Sequence, residues 1–133
     1  MMAETQAINP WTWQDAFGFS QAVEVRSPQR WLVCSGQTAV DAQGAPLHPG
    51  DMRAQLKQAL DNLEQVLAQA GMGLQHVVRL NYYATDVAAY LAASDEVEAR
   101  FAGKSPRPAG TLLGVAALFH PDILIELEAT AVA

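Results

Sequence analysis

The longest periodic segment of the chain predicts an α-helix that begins after Asp51 and ends at Gly71. Apolar residues recur there every three or four positions, which is the spacing of one helical face. Asp51 can cap the first turn through its carboxylate, and Gly71 can end the helix in the left-handed conformation. The apolar face consists of Met52, Leu56, Ala59, Leu60, Leu63, Val66 and Leu67.

A second helix is predicted between Asp86 and Gly103. Asp86 can cap it, and residues 106–108 contain two prolines, which lack the backbone donor that a continuing helix needs. Between the two helices, residues 76–84 are predicted to form a strand. The positions of the second helix expected to face the core are Val87, Tyr90, Leu91, Val97 and Phe101.

Four further segments have the composition of strands. Residues 19–25 and 31–36, separated by a turn at 27–29, predict an opening hairpin. Residues 111–118 and 123–132 predict two closing strands. The resulting order β-β-α-β-α-β-β indicates a single α+β domain over residues 1–133, with a mixed sheet and both helices on one face.

The face of the sheet away from the helices also needs a cover. Both alternating sets of residues 111–118 are largely apolar, although helices can cover only one of them. Exposed apolar patches of that size are uncommon on monomers, so we expect a partner subunit there; a long covering loop is the alternative.

Charge and composition exclude several classes of function. The net charge of −6 provides no basic field for phosphates, which argues against nucleic-acid binding. The single cysteine, Cys34, cannot form an internal disulfide, which fits a reducing compartment. Residues 1–15 lack the features of a signal peptide, and no apolar run reaches the length of a membrane span. The sequence therefore predicts a soluble, cytoplasmic protein without a membrane segment.

The common catalytic motifs are absent from the sequence, including the nucleophile elbow, the phosphate-binding loop and zinc-binding histidine pairs. The three histidines are scattered, so no metal is predicted. Cys34 lies in an apolar strand without a neighbouring cation, which favours an inert buried thiol. The aromatic residues near the N-terminus either pack onto the sheet or form a ligand wall. These residues are Trp11, Trp13, Phe17 and Phe19.

Two carboxylates stand out in the last strand. Glu126 and Glu128 alternate with Ile125 and Leu127, so both glutamates lie on the face away from the helices. A carboxylate at a dry subunit boundary has a raised pKa and can act as a general acid or base. The alternative interpretation is a pair of solvated strand charges.

Three segments, in this order and spacing, resemble the RidA/YjgF family, also described as endoribonuclease L-PSP-like. They are residues 33–37 (VCSGQ), 58–63 (QALDNL) and 125–131 (IELEATA). The resemblance covers nearly the whole chain from Phe19 onward. It implies a chorismate-mutase-like fold and a homotrimer around a central barrel, with small-molecule clefts between subunits.

The resemblance also implies chemistry. Characterised members of the family hydrolyse reactive enamines and imines to 2-keto acids and ammonia, and no cofactor is used. Other members are described as endoribonucleases or translation inhibitors. Three functions are therefore open: a deaminase-type hydrolase, a non-catalytic trimer that binds a small metabolite, and an endoribonuclease, which the acidic charge balance makes the weakest.

By position, Glu126 matches the family's cleft glutamate, which is thought to orient the attacking water. Ser35 and Gly36 match a strand-end pair that lines the cleft. Phe19 falls where the family often has a tyrosine. These matches imply that Glu126 is catalytic and that the other three residues bind the substrate.

The main departure from the family is Gly110, which falls where the deaminases carry an arginine that grips the substrate carboxylate. Without that counter-charge a carboxylate in a desolvated cleft is unpaired, so we expect a substrate other than the usual 2-imino acid. Thr111 and Arg107 complete the predicted substrate-binding set. Arg107 or Arg79 is a possible replacement for the missing cation, although neither matches its position.

Overall fold

Three α-helices and six β-strands make up the fold in the computed structural model, which describes residues 3–133. Residues 1 and 2 lie outside that range. They belong to the segment 1–15, for which no signal peptide was predicted. The helices are α1 (Met52–Gln69), α2 (Val87–Ala93) and α3 (Asp95–Phe101). The strands are β1 (Glu4–Ile8), β2 (Ala22–Arg26), β3 (Trp31–Val33), β4 (Val77–Ala84), β5 (Leu112–Gly114) and β6 (Ile125–Val132).

The main sheet has the strand order β3-β6-β4-β5. Its strands β3, β6 and β4 pair antiparallel, and β5 runs parallel to β4. Strands β1 and β2 form a separate antiparallel pair. This mixed arrangement confirms the predicted α+β class.

Helix α1 confirms the prediction from periodicity at both of its ends. The Asp51 side chain accepts a hydrogen bond from the backbone N–H of Ala54 at 3.0 Å, which caps the first turn. Gly71 follows the helix with a φ of +69°, a conformation that glycine adopts without strain. Leu56 and Leu63 on the inner face are fully buried against the main sheet. The helix thereby shields one face of that sheet from water.

The predicted hairpin of residues 19–25 and 31–36 is wrong. Strand β2 pairs with β1, and β3 pairs with β6 instead. Strand β1 was missed because its residues 4–8 (ETQAI) are mostly polar. Which strands pair depends on long-range contacts, which local composition does not encode.

Two other elements differ from the predicted ones. The second predicted helix is divided into α2 and α3 at Ser94, whose hydroxyl donates to the carbonyl of Leu91 at 2.8 Å. The strand predicted over 111–118 ends at Gly114. Its partner β4 ends at Ala84, just before α2, so later residues have no neighbouring strand to pair with.

The outer face of the main sheet, away from the helices, has a polar centre and an apolar border. Arg79, Asn81 and Tyr83 of β4 lie there opposite Thr130, Glu128 and Glu126 of β6. Among the border residues, Val33 is 78% exposed, Trp31 61% and Leu113 48%. Within residues 3–133, no loop covers them, so the covering-loop alternative fails. No helix in that range is long and apolar enough to cross a membrane.

Candidate functional site

A pair of carboxylates occupies the centre of the outer sheet face. Glu128 accepts hydrogen bonds from the side-chain amide of Asn81 at 3.0 Å and from the hydroxyl of Tyr83 at 2.7 Å. These two donors lower the pKa of Glu128 below its ordinary value. Glu128 is therefore held in its ionised form.

The pKa of Glu126, the neighbouring carboxyl group on the same face, is shifted in the opposite direction. Partial burial raises its pKa above the ordinary value, and the negative charge of Glu128 raises it further. Two carboxyl groups whose environments separate their pKa values suit different roles in acid–base chemistry. Of the two carboxyl groups, Glu126 therefore has its pKa moved toward neutral pH, which suits a group that gains and loses a proton. Glu128 is the fixed negative charge beside it.

Gly36 leaves the space that the Glu126 carboxyl group occupies. A Cβ atom at position 36 would lie 2.5 Å from the carboxyl carbon of Glu126, so any side chain there would displace it. Ser35 precedes Gly36 and is exposed. Gln37 continues the segment along β6 through reciprocal backbone hydrogen bonds with Leu127 of 2.7 and 2.9 Å. The structure therefore brings three sequence-predicted residues together: Glu126, Ser35 and Gly36.

A second feature is a pocket of about 420 Å³ between the N-terminal segment, helices α2 and α3, and strands β4 and β5. We call it the aromatic pocket. Three predicted substrate-binding residues line it: Phe19, Gly110 and Thr111. Its other walls include Trp13, Phe17, Tyr82, Tyr90, Leu91 and Glu98. The ligand-wall interpretation therefore fits Trp13, Phe17 and Phe19, whereas Trp11 is not part of the wall.

The aromatic pocket and the carboxylate pair lie on opposite faces of the main sheet. Tyr82 and its partner Leu112 face the helices and line the pocket, whereas the adjacent Tyr83 pairs with Glu126 on the outer face. The predicted site residues thus form two groups within one protomer. A single ligand can contact both groups only if they come from different protomers.

Gly110, the position where the resemblance predicts an arginine, is closed to side chains. A Cβ atom at Gly110 would overlap the backbone carbonyl oxygen of Leu80 and would lie 3.0 Å from its carbonyl carbon. The obstacle is backbone of the neighbouring strand, which cannot rotate away as a side chain can. The glycine is therefore required by the close approach of the chain to β4.

The two arginines suggested as substitutes occupy different environments. Nη1 of Arg107 is buried, has no hydrogen-bond partner among residues 3–133 and lies 3.6 Å from Oε2 of Glu98, at the side of the aromatic pocket. Arg79 is exposed on the outer face, and its Nη1 lies 3.4 Å from Oδ1 of Asn81. Neither arginine forms an ion pair with Glu126.

Several site residues were missed by reasoning from the sequence. Asn81 and Tyr83 alternate with Tyr82 along β4, so the period of the strand already places them on the face of Glu126. Glu98 had no such signal, because its place in the wall of the aromatic pocket depends on where α3 lies relative to the N-terminal segment. The thiol of Cys34 is buried, which raises its pKa and agrees with an inert role. No cluster of metal-binding side chains occurs among residues 3–133.

The fold, with a carboxylate pair on the outer face of its main sheet, is that of a small α+β protein. Comparison with known sequences identifies the family. The family described as Endoribonuclease L-PSP matches residues 13–133. This chain therefore belongs to that family, the RidA/YjgF family.

Its relatives include a RutC family protein of Pyrococcus abyssi, 32% identical over 113 residues, which covers 85% of this chain and 84% of the relative. A 2-iminobutanoate/2-iminopropanoate deaminase of Capra hircus is 34% identical over 114 residues, covering 86% and 79%. Among solved structures, a Rid family protein of unknown function from Yersinia pestis has a TM-score of 0.87 and 39% identity, covering 97% of this chain and 98% of the other.

Proposed function

We propose that this protein is a cofactor-free hydrolase of imines and enamines, in which Glu126 manages the protons of the attacking water. The observation that supports this most directly is the carboxylate pair. Burial and the charge of Glu128 favour the neutral form of Glu126, while Asn81 and Tyr83 hold Glu128 ionised. Some relatives are named imine deaminases, which agrees with this chemistry.

The reaction needs one group that both accepts and donates a proton. Ionised Glu126 would take a proton from water as the oxygen adds to the carbon of the C=N bond. The resulting carboxyl group would return that proton to the nitrogen, which gives a carbinolamine. Glu126 would then move the hydroxyl proton to the nitrogen in the same way, so that ammonia leaves as the carbonyl forms. An enamine would first tautomerise to the imine by protonation at carbon. Water supplies all the atoms that the imine lacks, so no cofactor is required.

The proposed substrate differs from the usual 2-imino acids. The relatives named 2-iminobutanoate/2-iminopropanoate deaminase are named for substrates that carry a carboxylate. In this chain Gly110 stands where the carboxylate-binding arginine is expected, and the backbone of Leu80 leaves no room for a side chain. A carboxylate without a counter-charge is costly in a desolvated cleft. An imine without a carboxylate fits this site better.

We further propose that the protein acts as a homotrimer with its clefts between subunits. The apolar border of the outer face, which includes Trp31, Val33 and Leu113, is exposed in a single protomer. A patch of this kind on a folded domain is typical of an interface. Sedimentation equilibrium tests this directly: the expected mass is three times the protomer's 14.3 kDa. A single species with the protomer mass at micromolar concentration would contradict the trimer.

The hydrolase is tested by ammonia release from imines generated in situ. A flavin amine oxidase supplies imines without a carboxylate, and an amino-acid oxidase supplies 2-imino acids. We expect acceleration over spontaneous hydrolysis with the first group and little with the second. Glu126→Gln should lower the rate about 100-fold or more, the range for loss of a general acid–base. Glu4→Gln, in the separate sheet, is the matched control and should retain full activity.

Activity that survives in Glu126→Gln would show that another group manages the water. Equal acceleration of 2-imino acids would show that the lost arginine is replaced, and Arg79 on the same face would then be the first residue to change. Saturable binding of an imine without ammonia release would favour the non-catalytic alternative.

A further inference from the structure

We propose that Asn62 of helix α1 is a positioning residue: it fixes the backbone that follows Gly36 and thereby keeps the carboxyl group of Glu126 in place. This inference rests on the proposed function and deepens it, because it names a residue outside the carboxylate pair that controls the pair. Asn62 acts through backbone carbonyls and does not touch the reacting atoms. It belongs to residues 58–63, one of the segments that resemble the family.

The side-chain amide of Asn62 has partners at both of its ends. Its Nδ2 donates to the carbonyl oxygen of Thr38 at 2.9 Å and to that of Val40 at 3.0 Å. Its Oδ1 accepts a hydrogen bond from Nε2 of Gln58, one helical turn earlier, at 3.0 Å. Gln58 thus orients the amide so that the donor end faces the two carbonyls. Thr38 and Ala39 are buried, and a carbonyl in such a segment needs a donor from the protein.

The segment that Asn62 fixes follows directly on an irregular stretch of backbone beside β6. The N–H of Cys34 donates to the carbonyl of Ala129 at 3.0 Å, and the N–H of Gln37 donates to that of Leu127 at 2.7 Å. Between these two bonds, two residues of the stretch lie opposite one residue of β6, and Gly36 is one of the two. This count is that of a β-bulge, which re-aims side chains beside functional sites.

The bulge brings the backbone of Gly36 against the carboxyl group of Glu126, where even a Cβ atom would not fit. Gln37 and Leu127, which close the bulge, form an isolated pair at the end of this pairing. Such a pair frays unless the chain beyond it is held. Asn62 holds the chain from the next residue onward, so it keeps the bulge closed over Glu126.

The test compares Asn62→Leu, which keeps the approximate size of the side chain and removes its donor, with the unmodified protein. The first readout needs no turnover: it is the pKa of Glu126, from NMR titration of isotope-labelled glutamate carboxyl groups. We expect this pKa to fall toward its ordinary value, because a released segment admits water to the carboxyl group. Glu128 is the internal control, and its pKa should stay low because its donors Asn81 and Tyr83 lie on β4.

The second readout is ammonia release from imines without a carboxylate. A displacement of about 1 Å in a catalytic group can cost roughly 100-fold in rate. We expect the kcat of Asn62→Leu to fall about 10-fold to 100-fold, with a much smaller change in KM. Leu63→Ala is the matched control, because Leu63 is the next residue of α1, is fully buried and has no polar atom to bond residues 38–40. It should lose stability and keep both the kcat and the Glu126 pKa.

Gln58→Leu covers the case in which Asn62→Leu does not fold. It removes the bond that orients the amide and leaves Asn62 itself in place. The Glu126 pKa and kcat should therefore change in the same direction by a smaller factor. Circular dichroism confirms that each variant is folded.

A Glu126 pKa that is unchanged in both variants would overturn the inference, as would an unchanged kcat. Equal changes in Leu63→Ala would also overturn it, because the effects would then follow from lost stability alone. If the unmodified protein releases no ammonia, the proposed hydrolase fails, whereas the pKa readout still decides whether Asn62 positions Glu126. The two failures are therefore distinguishable.

Discussion

The closed environment of Gly110 leads to a prediction about Gly110→Ala and Gly110→Arg. A Cβ atom at this position overlaps the carbonyl oxygen of Leu80, and the adjacent carbonyl carbon is 3.0 Å away. Both atoms belong to the backbone of β4, which is held by hydrogen bonds on either side. The N–H of Leu80 donates to the carbonyl of Ala109 at 2.9 Å, and that of Tyr82 donates to the carbonyl of Thr111 at 2.8 Å. The clash therefore cannot be relieved without stretching the hydrogen bonds that join β4 to residues 109–111.

The cost follows from that geometry. Forcing one extra carbon into a well-packed site costs about 1–3 kcal/mol, and backbone obstacles lie at the upper end because they relax least. We expect Gly110→Ala to lower the free energy of unfolding by about 2–3 kcal/mol. Gly110→Arg should be at least as destabilising and should not restore deamination of 2-imino acids, because the displaced strand also carries Asn81 and Tyr83.

Urea denaturation at a fixed protein concentration measures this effect, with circular dichroism as the signal. Thr111→Ala is the matched control. Its side chain is exposed and one residue away, so it should change stability by less than about 0.5 kcal/mol. An unfolding free energy of Gly110→Ala equal to that of the unmodified protein would refute the reasoning. So would a stable Gly110→Arg that gains activity on 2-imino acids.

Two further predictions concern the carboxylate pair and the core. In Glu128→Gln the neighbouring negative charge is lost, so the pKa of Glu126 should fall. Because Glu126 acts as a base in its ionised form, the acidic limb of kcat/KM should move to lower pH; an unmoved limb would exclude this coupling. Leu63→Ala should lower the free energy of unfolding by about 2–5 kcal/mol, because Leu63 is fully buried. Leu91→Ala, at a 54% exposed position, is the control and should cost far less in the same denaturation assay.

Much of the fold could be predicted because it depends on neighbours in sequence. The ends of α1 follow from Asp51 and Gly71, whose capping chemistry is local. The alternation of residues along β6 is enough to place Glu126 and Glu128 on one face, since successive side chains of a strand point to opposite sides. The three segments that resemble the family can also be recognised without a structure, because each is a short run of consecutive residues.

The rest was decided by tertiary structure. By composition strand β2 was expected to pair with β3, and only the assembled chain selects the mostly polar β1 instead. Glu98 meets the aromatic residues because α3 packs near the N-terminal segment, far away in sequence. The requirement for glycine at position 110 comes from the carbonyl of Leu80, thirty residues earlier. Periodicity and capping are local and can be read from the chain, whereas pairing, cavities and close contacts depend on which distant segments meet.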